Sequence, residues 1–145
     1  MVTTPVAPHL ASRLRLAVAR TARRLRQEAG GGLSPTLTAA LASIENHGPL
    51  TPSELADRER VKRPTATRLI GTLESSGLVV RTSDPSDRRS SLIAVTPAGR
   101  ELMRILRTRK DAYLAQRLRK LSAEERETLD RASDLLERLL EEVSA

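Results

Sequence analysis

Apolar side chains recur at helical spacing over most of this chain, and the places where that spacing breaks mark its elements. Between His9 and Ala29 the stripe runs Leu10, Leu14, Ala17, Val18, Thr21 and Leu25. Steps of three and four put these residues on one side of a helix, with arginines on its outer face. Gly30, Gly31 and Gly32 end it. Further helices are predicted over about Ser34 to Asn46, Pro52 to Arg58 and Arg63 to Ser76. The period then changes. Two short β-branched runs, 78–83 and 90–95, flank Asp84-Pro85 and read as a hairpin. A long helix from about Pro97 to Lys120 follows. The last helix, from about Ala123 to Glu142, gathers Leu129, Ala132, Leu135, Leu136, Leu139, Leu140 and Val143 on one stripe. Residues 1–8, with two prolines and no pattern, are expected to form an arm.

Local chemistry supports these boundaries. Ser34-Pro35, Thr51-Pro52 and Thr96-Pro97 each place a hydroxyl at the N-cap and a proline at the first helical position. Proline has no N–H to leave unpaired there, and its φ is already helical. Thr51 with Glu54, and Ser122 with Glu125, have capping-box spacing, and Leu50 and Leu55 suit a hydrophobic staple. At the end of the fourth helix Gly77 supplies a left-handed residue, and Leu78 can fold back on Leu73. The fold expected is mainly α with a small β-hairpin.

Composition narrows the class. The 145 residues include no Phe, no Trp and one Tyr, Tyr113, so the core must be aliphatic. No cysteine is present, which excludes disulfides, thiol sensing and cysteine–zinc sites; with only His9 and His47, a multi-histidine metal site is not expected either. No cofactor is expected. No apolar run has the length of a membrane span or a signal peptide, so a cytoplasmic protein without membrane association is expected. The net charge of +7 is uneven: residues 1–120 hold 22 basic and 10 acidic side chains, whereas 121–145 hold 3 and 8. The basic part is the candidate for an anionic partner such as nucleic acid.

A short helix, a turn, a longer helix and a small hairpin make a helix-turn-helix with a wing. At 100° per residue, Ala66, Leu69, Ile70 and Leu73 form the core-facing stripe of the longer helix. The opposite face carries Pro64, Thr67, Arg68 and Gly71, flanked by Thr65 and Thr72. Small residues let such a helix lie deep in a major groove, where Arg68 has the fork geometry for guanine. The threonines suit phosphate or a thymine methyl. Lys62 and Arg63 stand at the helix start, where the dipole also attracts phosphate. Ser53, in the first turn of the short helix, completes the candidate DNA-contacting set on the helices. The competing reading is an ordinary surface helix, but such a helix carries Glu and Lys in pairs, and this one has no acid before Glu74. In the hairpin, Asp87 stands two residues before Arg89, close enough to accept hydrogen bonds from its guanidinium and hold it extended toward a minor groove. Arg88 is assigned to phosphate. Alone, the loop would read as a plain turn; beside these helices it reads as a wing spanning 84–91.

The segments RPTATRLIGTLESSGLVVR (63–81) and DPSDRRSSLIAVTPAGRE (84–101), in this order of elements, resemble the MarR (multiple antibiotic resistance regulator) family of winged-helix transcription factors. The resemblance spans about residues 9–143. It implies an obligate homodimer on a pseudo-palindromic operator, usually repressing, with release by a small-molecule effector that is often phenolic. The family's wing arginine falls on Arg89, its orienting aspartate on Asp87 and its groove-reading positions on 63–68. This chain departs from the family in two respects. It lacks the cysteines of oxidant-sensing members, and only Tyr113 can offer an aromatic wall.

The domain division expected is a DNA-binding winged helix over 33–96 and a dimerisation region over 9–32 and 97–145. Dimerisation is assigned to Leu10, Leu14, Leu129, Leu135, Leu136, Leu139, Leu140 and Val143, since these stripes need cover; the alternative is a monomeric bundle. A second function class is an architectural nucleic-acid-binding protein without sequence choice, although the aromatic residues used to stack on single-stranded RNA are missing. Catalysis is not expected. No nucleophile–base pair or metal cluster is present, and the Gly30–Gly32 run lacks the Lys-Ser/Thr of a phosphate-binding loop.

Overall fold

The structure is a computed structural model describing residues 4–141. Its elements are α1 (Pro8–Ala29), α2 (Pro35–His47), α3 (Pro52–Glu59), α4 (Arg63–Ser75), β1 (Val79–Asp84), β2 (Asp87–Val95), α5 (Pro97–Leu118) and α6 (Ala123–Leu140). The chain is mainly helical with one antiparallel hairpin, as the spacing predicts. Two compact units meet within α5, one reaching Lys110 and the other starting at Asp111.

The first unit holds the core. Leu41 and Ile44 of α2, Leu55 of α3, Ile70 and Leu73 of α4, and Ile93 of β2 are its largest fully buried side chains. Leu50, Val79, Met103 and Leu106 join them, so the core is aliphatic as the composition requires. Hydrophobic burial of this kind contributes about 1.5–3 kcal/mol per large side chain. The buried residues of α4 are Ala66, Leu69, Ile70 and Leu73, the predicted stripe.

The caps form as their sequences predict. Thr51 Oγ1 accepts from the Glu54 N–H at 3.1 Å, and the Glu54 carboxylate accepts from the Thr51 N–H at 3.3 Å. Helix α4 ends in a Schellman motif: Leu78 N–H donates to the Leu73 carbonyl at 3.0 Å and Gly77 N–H to Glu74 at 2.9 Å, with Gly77 at φ +74°.

Three features of the winged unit have no local signature in the sequence. Leu50 pairs with Ile93, exchanging both backbone hydrogen bonds at 3.0 and 2.7 Å, and adds a one-residue third strand to the hairpin. Thr96 does more than cap α5. Its hydroxyl donates to the Gly77 carbonyl at 2.6 Å while accepting from the Gly99 N–H at 3.1 Å, so one side chain ties the end of α4 to the start of α5. Gly99 is buried, and a Cβ there would run into the Leu78 carbonyl oxygen and lie 2.8 Å from Val95 Cγ2.

Helix α1 contributes only Ala29, at its C-terminal end, to this core. The Ala29 carbonyl accepts from the Arg109 guanidinium at 2.9 Å, and Arg107 pairs with Glu45 at 2.8 Å. In the second unit, Ser122 and Glu125 make a full capping box, and Arg126 donates to the Leu118 and Leu121 carbonyls at 3.4 and 3.1 Å. The Ser122 backbone and hydroxyl hold the Glu125 carboxyl below its ordinary pKa. Helix α6 has no buried residue: Leu129, Leu135, Leu139 and Leu140 are exposed, and Leu136 is half-buried. Leu10 is exposed and Leu14 half-buried. Val143, assigned to the same stripe, lies outside the described residues.

Candidate nucleic-acid interface

Helix α4 presents its candidates on the side away from the core. Lys62, Arg63, Pro64, Thr67 and Arg68 are exposed, and Thr65 and Gly71 are half-buried at the edges. Lys62 is the N-cap and provides no side-chain hydrogen bond, so the first N–H groups of α4 have no side-chain cap. Uncapped N–H groups and two cations at one helix start favour an anion. Thr72 differs from the expectation. It is exposed, but its hydroxyl donates to the Arg68 carbonyl at 3.2 Å. With its proton used inside the helix, Thr72 must turn away from its own backbone before it can donate to phosphate. Ser53, on α3, is exposed. Helices α3 and α4 meet at Arg60, which takes a left-handed φ of 53°.

The hairpin begins in the core at Val79 paired with Val95 and stays in register to Ser83 opposite Ser91. About 17 Å separates its base from its tip, at about 3.4 Å per residue. Beyond Ser83 the register breaks, because the next pair is Asp84 with Asp87. The connection is therefore tighter than an open loop over 84–91: only Pro85 and Ser86 lie between the strands, and Arg88 and Arg89 belong to β2. Those two arginines and Ser90 have no counterpart on β1 and form a bulge.

Two aspartates build this tip. Asp84 Oδ1 accepts from the Ser86 N–H at 2.9 Å and from its hydroxyl at 2.7 Å, closing the turn. The Ser86 hydroxyl, then its amide, hold the Asp84 carboxyl below its ordinary pKa. Asp87 Oδ1 accepts from the Arg89 backbone N–H at 3.0 Å, and Oδ2 from the Ser90 hydroxyl at 3.4 Å. The expected clamp from Asp87 to the Arg89 guanidinium is thus not the contact made. With a spacing of two, an Asx turn to the backbone satisfies the carboxylate with fewer rotors fixed than reaching along a whole arginine. Asp87 shapes the bulge, and the exposed Arg89 side chain makes no hydrogen bond to a described residue. The Arg88 side chain lies outside the described structure.

One further contact joins hairpin and helix. Arg81 of β1 donates to Glu74 near the end of α4 at 3.2 Å, with both side chains partly exposed. Sequence spacing hides this pair, because the two residues face each other only after the turn at Gly77.

Among the described residues no group of three or more histidine, aspartate or glutamate side chains is placed to hold a metal ion. No described helix is long and apolar enough to cross a membrane.

Comparison with known proteins agrees with this architecture. The model of the MarR family matches residues 33–91. An uncharacterized HTH-type transcriptional regulator of Mycobacterium bovis is 40% identical over 134 residues, covering 92% of this chain and 94% of the relative. A crystal structure of a Pseudomonas aeruginosa protein assigned to the transcriptional regulators superposes with a TM-score of 0.85 at 32% identity, over 96% of this chain and 100% of the other. A MarR family protein from Bacillus stearothermophilus gives 0.78 at 25% identity, over 91% and 93%.

Proposed function

The chain belongs to the MarR family of helix-turn-helix transcriptional regulators, and from that premise we propose that it is a homodimeric, sequence-specific DNA-binding repressor. The observation that carries this reading is the outer face of α4: one long cation, Arg68, among small exposed residues, with a cationic and uncapped helix start. In a major groove Arg68 reads guanine by a bidentate contact. Lys62, Arg63, Thr65, Thr67 and Ser53 fix the register on the phosphates, and Pro64 and Gly71 keep the approach close. The wing enters the adjacent minor groove through Arg89, with Arg88 on phosphate.

Residues 33–96 form the DNA-binding part, and 9–32 with 97–145 the dimerisation part. The exposed leucines of α6 and the bare stripe of α1 support a second copy as their cover. A two-fold dimer then addresses a pseudo-palindrome with half-sites about one DNA turn apart, roughly 34–36 Å. Bound there, it occludes a promoter. The Arg68→Ala variant tests the assignment: its site preference, read by competition between single-base operator variants, should relax at one base pair per half-site. Unchanged preference would remove Arg68 from the groove.

Release by an effector belongs to the same reading. A small cleft where α1, α2 and α5 approach is lined by Arg26, Ala29, Leu33, Pro35, Leu106 and Lys110. Two cations over aliphatic walls suit a small anionic, largely aliphatic molecule rather than one needing aromatic stacking. Thermal-shift screening of short carboxylates, followed by operator release, tests it; a hit that raises the melting temperature equally in Lys110→Ala would place the ligand elsewhere.

A further inference from the structure

Among the described residues a positive φ occurs at Gly30, Gly31, Gly32, Gly77 and one residue that is not glycine, Arg60, at φ 53° and ψ 44°. That left-handed region crowds a Cβ against the neighbouring backbone, so glycine fills it at little cost and other residues do not. Arg60 ends α3 as Gly77 ends α4, by the same pair of bonds. The Arg60 N–H donates to the Asp57 carbonyl at 3.3 Å and the Val61 N–H to Ala56 at 3.0 Å, as the Gly77 N–H donates to Glu74 and the Leu78 N–H to Leu73. Glycine at 60 would make both bonds without the strain, so the backbone does not call for arginine there. What arginine adds is a long cationic side chain.

The neighbouring charges point to its use. Arg58, Arg60, Lys62 and Arg63 are all exposed. Glu59, the one acid in that run, is half-buried, and its carboxylate accepts from the Ser43 hydroxyl of α2. The outward side of the turn is therefore cationic, and the acid that would offset it is held against another helix. Two residues of chain separate Arg60 from Lys62 by no more than about 7 Å. We propose that the Arg60 guanidinium contacts a DNA phosphate beside those held by Lys62 and Arg63, and that this contact is why a left-handed turn position carries arginine. It deepens the DNA-binding reading above and rests on it. Backbone strain kept for the sake of a side chain is characteristic of functional sites. Phosphate carries no sequence information, so Arg60 adds affinity at every site and leaves the choice of site to Arg68.

The test compares Arg60→Gly with Arg60→Lys in the full-length chain, by thermal unfolding and by DNA affinity over a range of salt. Two duplexes of equal length are used, one carrying a site selected by the wild type and one unselected. Arg60→Gly should raise the melting temperature by about 2–4 °C, because no Cβ is then held in the left-handed region. The same variant should bind both duplexes about tenfold more weakly, by one common factor, with the slope of log affinity on log salt shallower by about two, one phosphate per protomer. Arg60→Lys keeps the charge, so it should melt with the wild type and stay within about threefold of its affinity. A glycine variant that gains stability and keeps wild-type affinity and slope overturns the contact. So does a glycine variant less stable than the wild type, because the arginine then serves the fold. A loss confined to the selected duplex also overturns it, since Arg60 would then read bases. In each of these cases DNA binding stands and only the role of Arg60 falls; a wild type that binds neither duplex removes the DNA-binding reading itself.

Discussion

Arg89 and its neighbours show how much a single side chain's role depends on which atom of a partner it meets. Asp87 accepts from the Arg89 backbone, so it works through the shape of the bulge rather than through guanidinium charge. Asp87→Asn keeps an acceptor oxygen at that position and should hold operator affinity within about twofold, whereas Asp87→Ala should lose about three- to tenfold, up to about 1.4 kcal/mol. Arg89→Ala should lose more than either. Fluorescence anisotropy on one operator separates the cases: an Asn variant as weak as the Ala variant would mean that the negative charge does act on the guanidinium. Asp84 gives a pH test at the same tip. Its pKa in the folded turn is lowered, so its carboxylate contributes to the turn at and above the ordinary value of 3.8, and that contribution is lost only as pH falls below it. The Ser86 amide resonance should titrate with a midpoint below 3.8 and stay constant through neutral pH; a midpoint at or above 3.8 would show that the hydrogen bonds of the turn are not kept in solution. The candidates on the outer face of α4 were legible in the sequence because helical periodicity alone decides which side faces out. The contact of Asp87 was not, because a spacing of two allows both the backbone and the side chain of Arg89, and only the bulge distinguishes them.

The elements whose boundaries carry chemical punctuation were readable almost to the residue. Thr51, Ser122, Gly77 and the hydroxyl-proline starts each satisfy specific backbone groups, and the structure makes the bonds they predict. Contacts between elements were less readable. The Leu50–Ile93 pairing, the Arg81–Glu74 ion pair and the bridge from Thr96 to Gly77 join residues whose proximity depends on the whole winged unit. Two glycines give opposite expectations at this scale. Gly99 sits where α5 crosses Leu78, so Gly99→Ala should destabilise by about 1–3 kcal/mol in urea unfolding. Gly71 lies inside α4 with open space around it, so Gly71→Ala should stabilise by about 0.5–1 kcal/mol. The added methyl stands on the outer face of α4 that the proposed docking turns to DNA, so the same variant should bind the operator more weakly. A Gly71→Ala protein that gains stability and keeps full affinity would show that α4 does not lie close in the groove.

At the scale of the whole molecule, charge is divided unevenly along the chain. The basic side chains gather in the first 120 residues, and the acidic ones dominate the last helix. A dimer that places Lys62, Arg63 and Arg88 of both protomers on phosphates makes about six such contacts, so from these contacts alone log affinity should fall with log salt at a slope near −5. An architectural binder without sequence choice would share that slope, which is why charge alone does not separate the two functions. Sequence choice does. The most direct measurement is selection of bound fragments from random duplex DNA by the purified full-length protein at near-physiological salt. A pseudo-palindrome should be enriched, with half-sites about one helical turn apart and a guanine in each that the Arg68→Ala protein no longer requires. Recovery of DNA with no enriched motif, at an affinity equal to that for unselected duplex, would contradict the reading of this chain as a sequence-specific regulator.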